Sequence, residues 1–553
     1  MYKLSTILAL SLSAYVLNGC GGSGSSSGGG STSEYPDGSS NNYNITLTKG
    51  YEVIPLGSGE YHIDIQTDYT TDLYLVLTNT DSSHTQNIRI DHNARYIQKE
   101  KKQTKITHNL VYNQVPDFIS QFNNHITLNT SHKTNKQQHK SISKSHKSIG
   151  DSHTFTVEDT NGYTDYTDAT LKSKVTVNTK YGYKTLLVWV SDDSFEGSCH
   201  KSKCITQNMV DGLQRHFLQN GSDNDIYDWD SSIYGEEWSH KAHDRHPNEL
   251  IDQSDEINIL LTDIDNDNQS NGGIMGYFYA QDNFYTSVYP NSNEMIMFYI
   301  DSVMFANDEG NGFWQREIYA TLAHEFQHMI HFYQKVVLQD VSDDTWINEM
   351  LSETTEDLVA TKIEHIGPRG VDPLDGSAGD YNNRYGRYPL FNKSNDISLS
   401  SWNNSLENYS NVNAFGTFLT RNYGGAKVLH NILHNNKEHE DAIEYATGEK
   451  FGTLLQKWGE AVILSSIENP YDLPTYNFGD FKYDSYNGTS YKLGSIDFFR
   501  YTYTPKLYDI NDGESIRVQP HSNKYYIIGK DLYGPIDLTL SLPANTKAVL
   551  ISK

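Results

Sequence analysis

The sequence predicts an α+β fold, with a mixed middle flanked by β-rich regions at both ends. Three observations carry that reading. Residues 44 to about 128 and residues 471–553 alternate apolar and polar side chains with the two-residue period of half-buried strands, as in YHIDIQ, IRIDH, SIRVQP and IDLTLSL. The segment 314–333, WQREIYATLAHEFQHMIHFY, has no Gly or Pro and sets Ile318, Leu322, Phe326 and Met329 on one helical face. Upstream of it, EINILLTDID (256–265) and EMIMFYID (294–301) are short apolar runs of the length of buried strands.

In chain order, MYK and then LSTILALSLSAYVL make residues 1–19 a signal peptide, a basic start before an apolar core too short to span a bilayer. Leu17-Asn18-Gly19-Cys20 resembles the bacterial lipoprotein box, so Cys20 is the expected lipidation site. Residues 20–43 are a flexible Gly/Ser tether. An N-terminal β domain is expected over 44–130, then a basic linker over 131–152, with five Lys and no acid between 131 and 149. A cleavage-prone join between a pro-region and the enzyme is the alternative reading of that linker.

The central domain, 153–470, opens with strands in TLKSKVTVNT and KTLLVWVSDD and a helix in ITQNMVDGLQRHFLQ. The two buried strands and the long helix follow. A second helical run, DDTWINEMLSETTEDL (343–358), offers Asp343, Asp344 and Thr345 as N-caps. FGTFLTRNYGG, AKVLHNILHNN and FGTLLQKWGEAVILSS are further helices, the first ended by Gly424-Gly425. Residues 471–553, with IDFFRYTYTP, KYYIIGK and AVLISK, read as a C-terminal β sandwich.

The chemistry-bearing residues sit on the two central helices. His324 and His328 are one turn apart, which sets both imidazoles over one patch about 6 Å long, a gap that two metal–nitrogen bonds of about 2.1 Å close. Glu325 lies beside the pair, where a general base belongs. H-E-x-x-H on a helix is a zinc-hydrolase pattern, and catalytic zinc takes three protein ligands. The expected third is Glu349, on the helical run that the short QDVSDD loop folds back beside the first. Glu353, four residues on along the same face, is expected to orient one of the histidines. His331 reads as a cation near a helix C-terminus, or a group behind the ligands, rather than a ligand. Together these residues imply metal-assisted hydrolysis of peptide bonds, with Glu325 taking the proton.

HEFQH followed by WINEMLSE resembles the gluzincins, the thermolysin-type zinc peptidases. That resemblance implies a thermolysin-like zincin fold for the central domain. It implies Zn2+ on His324, His328 and Glu349, Glu325 as catalytic base, and Glu353 as a supporting acid. INILLTDIDND, GYF, EMIMFYID, AHEFQHMIHF and YSNVNAFGTFLTRNYGG, spread over roughly residues 185–470, are similar to the hyicolysin family of secreted bacterial neutral metallopeptidases. The gluzincin resemblance also implies an edge strand at EMIMFYID that pairs with substrate backbone. It implies Tyr409, at the start of a helix after the second zinc helix, as a donor to the oxyanion. The aminopeptidase branch carries G-x-M-E-N; here Gly273-Ile274-Met275-Gly276-Tyr277 lacks the Glu and Asn, which favours an endopeptidase. An exopeptidase or narrow processing protease, and an inactive zincin-fold surface adhesin, are the alternatives.

Net charge of −27 with 20% charged residues argues against nucleic-acid binding and suits an exported enzyme acting on a protein or peptide substrate, held at the cell envelope through Cys20 or released. Cys199 and Cys204, in CHKSKC, read as a local disulfide, with a metal site that includes His200 as the alternative. Asp263, Asp265 and Asp267 begin like an EF-type Ca2+ loop but lack its Gly and Glu, so calcium and a plain polar loop both stay open.

Overall fold

The computed structural model describes residues 41–47, 51–92, 115–128, 147–221, 224–253, 255–309, 312–365, 386–467, 473–474, 476, 481–484, 490–501, 503–510 and 515–553. The expected signal peptide, Cys20, most of the tether and most of the basic linker lie outside the described residues. Among the described residues no helix is long and apolar enough to cross a membrane.

The two ends of the chain build one β sandwich, where the sequence suggests two separate β regions. One sheet runs Asn41–Thr46, Gly59–Gln66, Ile536–Leu542, Gln86–His92, Ser515–Val518 in spatial order; the other runs Tyr508–Asp509, Ser522–Leu532, Thr71–Asn79, Thr546–Ser552, Glu52–Leu56. Each sheet therefore interleaves N-terminal and C-terminal strands. Alternation tells which face of a strand is buried but not which strand it pairs with. Tyr61, Ile63 and Ile65 bury beside Leu540, Leu538 and Ile536, their antiparallel partners. The run DLYLVLTN buries both faces. Leu73, Leu75 and Leu77 face the sandwich interior, while Tyr74 and Val76 join the main core. There the sandwich meets the helix Phe451–Leu464, and Gly459 is needed because a Cβ would stand 2.7 Å from Val76 Cγ1. Gln456 Nε2 donates to the Ala548 carbonyl at 2.6 Å and seals that joint. IDFFRYTYTP, expected as a strand, is instead a short 3-10 turn, Phe498–Arg500, that anchors Phe498 in the main core.

The central sheet has six strands in the order Gly276–Phe278, Met297–Asp301, Glu256–Thr262, Gly182–Ser191, Thr164–Thr179, Ser152–Glu158. Met297–Asp301, Glu256–Thr262 and Gly182–Ser191 are parallel and covered on both faces, which accounts for their unbroken apolar runs. EMIMFYID is thus not the edge strand; that place belongs to Gly276–Phe278, paired antiparallel to it. A helix at Asp117–His125, within the stretch expected to be a β domain, packs on the central domain through Phe122, whose ring meets Tyr279, Phe284 and Tyr289 edge-on.

Candidate metal centre

Two helices carry the centre. The first, Phe313–His331, is buried almost all round from Glu317 onward and continues as a π-helical turn, Phe332–Val337. The second, Thr345–Val359, is buried along nearly its whole length. A third helix, Leu406–Asn422, opens with a capping box at Ser405 and crosses the second so closely that a Cβ on Gly416 would overlap Thr354 Oγ1.

His324, His328 and Glu349 converge on one point. Glu349 Oε2 lies 3.2 Å from His324 Nε2 and 3.5 Å from His328 Nε2, and the two imidazole centroids are 4.7 Å apart. The other ring nitrogens are engaged from behind. His324 Nδ1 meets Glu356 Oε1 at 2.8 Å; His328 Nδ1 meets Asn348 Oδ1 at 3.0 Å and Ser352 Oγ at 3.1 Å. With Nδ1 donating, each Nε2 turns a lone pair toward Glu349 Oε2, a buried oxygen that receives no hydrogen bond. Such an arrangement costs several kcal/mol, on the order of a buried unpaired charge, unless a proton or a metal cation sits among the three. Ligand atoms about 2.1 Å from a tetrahedral ion stand about 3.4 Å apart, close to the spacing here. The donor set fits a metal ion.

Charge around the point agrees. Burial works against ionised Glu349, but His328 and His324 outweigh it and hold its carboxyl down at about 2. Burial also disfavours a charged His324, yet Glu349 and Glu356 on its two nitrogens lift its pKa well above the ordinary value, so in the metal-free chain a proton on Nε2 holds the place that a metal ion would take from it. Burial raises Glu325 above the usual carboxylate range, partly offset by the two histidines. Its Oε2 accepts the Phe278 N–H at 2.8 Å, which ties it to the sheet's edge strand.

Of the expected site residues, the structure brings His324, Glu325, His328 and Glu349 together. Tyr409 is buried beside them. Desolvation first, then the charges of Glu349 and Glu353, keep its phenol protonated, and its hydroxyl donates to Asn404 Oδ1 at 3.1 Å. Glu353 lies within 4.8 Å of His324 but is not hydrogen-bonded to it. Both its oxygens take Arg387, at 2.7 and 2.9 Å, and Asn413 Nδ2 adds a bond at 3.3 Å. The carboxylate on His324 is Glu356. Seven residues are nearly two full turns, so Glu356 aligns with Glu349 better than Glu353 does. His331 is not among the converging ligands: it faces buried Asp343 at 3.3 Å, and burial lowers its pKa, partly offset by that carboxylate. Asp263 pairs with Lys201 at 2.8 Å, while Asp265 and Asp267 accept backbone N–H groups of Thr160 and Gln269. Among the described residues these aspartates form no ligand cluster, which leaves the calcium reading without support. Cys199 and Cys204 form a disulfide.

The sequence reading missed Asn348, Ser352, Glu356 and Arg387. Glu356 was findable from its two-turn spacing to Glu349. Arg387 begins a separate helix, Arg387–Ser394, with no spacing to announce it.

A protein-family model for peptidase M30 matches residues 165–505, more than half of the chain and both site helices. Over 274 residues the chain is 27% identical to the neutral metalloprotease ShpI of Staphylococcus hyicus. The alignment covers 48% of this chain and 52% of ShpI, so the chain spans about half the length of that relative. With the match running through both helices that carry the centre, the chain belongs to the peptidase M30 family.

Proposed function

We propose that this protein is an exported zinc endopeptidase with a gluzincin ligand set: His324 Nε2, His328 Nε2 and the Glu349 carboxylate. The observation that carries the reading is the buried Glu349 oxygen, without a hydrogen-bond donor, facing two imidazole nitrogens whose far sides are already engaged. Two nitrogens and a carboxylate oxygen suit zinc. Bound there, zinc supplies a Lewis acid for the scissile carbonyl and lowers the pKa of a water toward about 7.

The chain's own residues do the rest. Glu325 takes the proton of the attacking water and passes it to the leaving amine; burial raises its pKa above the ordinary carboxylate range. The Phe278 N–H holds that carboxylate in place. Tyr409, kept protonated, donates to the developing oxyanion once its hydroxyl leaves Asn404. The endopeptidase mode rests on the Glu and Asn missing from residues 273–277. Export is supported by the Cys199–Cys204 disulfide, a feature of oxidising compartments.

The test is hydrolysis of end-blocked, quenched peptides, with and without a zinc chelator, beside Glu325→Gln. Chelator-sensitive cleavage is expected, and Glu325→Gln should lose it by about 10²–10⁴-fold while still binding one zinc. Cleavage that survives chelation, or a fully active Glu325→Gln, would exclude the mechanism; a chain that binds no zinc would exclude the ligand set.

A further inference from the structure

We propose that the helix Asp117–His125, which lies before the family-matched region, is a working part of the metal centre: Asn124 acts through Asn348 to decide which nitrogen of His328 is left for the metal. The inference rests on the ligand set proposed above. Asn124 Nδ2 reaches the Ser120 backbone carbonyl at 2.9 Å. A carbonyl only accepts, so the amide end of Asn124 must point there. Its Oδ1 then accepts from Asn348 Nδ2 at 2.6 Å, which leaves Asn348 Oδ1 facing His328 Nδ1 at 3.0 Å. An oxygen at that place requires the proton on Nδ1, so the neutral ring keeps its lone pair on Nε2, toward Glu349.

His324 needs no such relay, because Glu356 is a carboxylate with two acceptor ends. An amide has a wrong end. Turned over, Asn348 would present its NH2 to Nδ1, drive the proton to Nε2 and close the ligand position. Asn124, Asn348 and His328 are all buried, so a turned amide has little water to compensate it. The helix is itself clamped to the site. Asn123 Nδ2 donates to the Phe278 carbonyl and Asn123 Oδ1 accepts the Ala280 N–H, each at 2.7 Å, beside the strand that holds Glu325.

Zinc affinity of the full chain, by competition with a chromophoric chelator, tests this together with thermal unfolding of the metal-free protein. Asn124→Ala should weaken zinc by about 10–100-fold, the usual cost of losing a ligand's outer partner, and should also lower the metal-free midpoint, because the buried Asn348 Nδ2 loses its acceptor. Asn124→Ala with Asn348→Asp should recover most of the affinity, because a carboxylate has no donor end; a merely structural helix would give no such rescue. Should Asn124→Ala not fold, the nearly isosteric Asn124→Leu carries the same expectations. Wild-type affinity in the single variant, or no recovery in the double, would overturn the relay. A wild-type chain that binds no zinc would overturn the ligand set and the relay with it.

Discussion

Replacing Glu356 by Ala removes the carboxylate that stands 2.8 Å from His324 Nδ1. A charge-assisted hydrogen bond is worth about 1.5–3 kcal/mol. Glu356 is only 14% exposed at its side chain, so solvent screening is modest and a middle value of about 2 kcal/mol is appropriate, or roughly 30-fold in zinc Kd. Glu356→Gln keeps an acceptor and loses the charge; about 1 kcal/mol, near fivefold, is expected. Glu353→Gln should behave differently. Its carboxylate is fully buried and gripped at both oxygens by Arg387, so the loss falls on the fold, by about 3 kcal/mol, with little change in zinc Kd. Chelator competition reads the first quantity and urea unfolding of the metal-free protein the second. A Glu356→Ala variant within twofold of wild type, paired with a Glu353→Gln variant weakened more than tenfold at unchanged stability, would refute the assignment of Glu356 as the partner of His324.

Burial pushes Asp282 up to about 7, so the folded chain holds this proton through a window in which the unfolded chain, at about 3.8, has released it. Stability should therefore fall as pH rises from about 4 to about 7, by an order of a few kcal/mol, and Asp282→Asn should flatten that slope in urea unfolding; an equal slope in the variant counts against it. Gly416→Ala drives a methyl into Thr354 Oγ1 at the crossing with the second site helix and should cost about 1–3 kcal/mol; a neutral effect on unfolding would mean that the crossing is looser than described. Removing the Cys199–Cys204 disulfide as Cys199→Ala/Cys204→Ala opens a very short loop, so the loss should stay near or below about 2 kcal/mol, with peptide hydrolysis unchanged. A larger loss would show that the bridge holds more than its own loop.

Local periodicity determined much of this protein from sequence alone. His324 and His328 one turn apart, the Gly-free helix around them, Glu349 on the helical run that follows, and the closely spaced Cys199 and Cys204 are properties of neighbouring residues, and the pleat or helix repeat places them without knowledge of the rest. The tertiary structure decided what lies between distant segments. Strands near residue 63 and residue 538 pair because each has an apolar face to bury, and nothing in either pattern names the other as partner. Glu353 is drawn to Arg387 rather than to His324 because a guanidinium arriving from another helix offers two charge-assisted bonds, leaving the histidine to Glu356. Asn124 reaches Asn348 across more than two hundred residues of chain. The pattern of a single helix fixes which residues can bind a metal, whereas the direction of every hydrogen bond behind them depends on donors that only folding brings near.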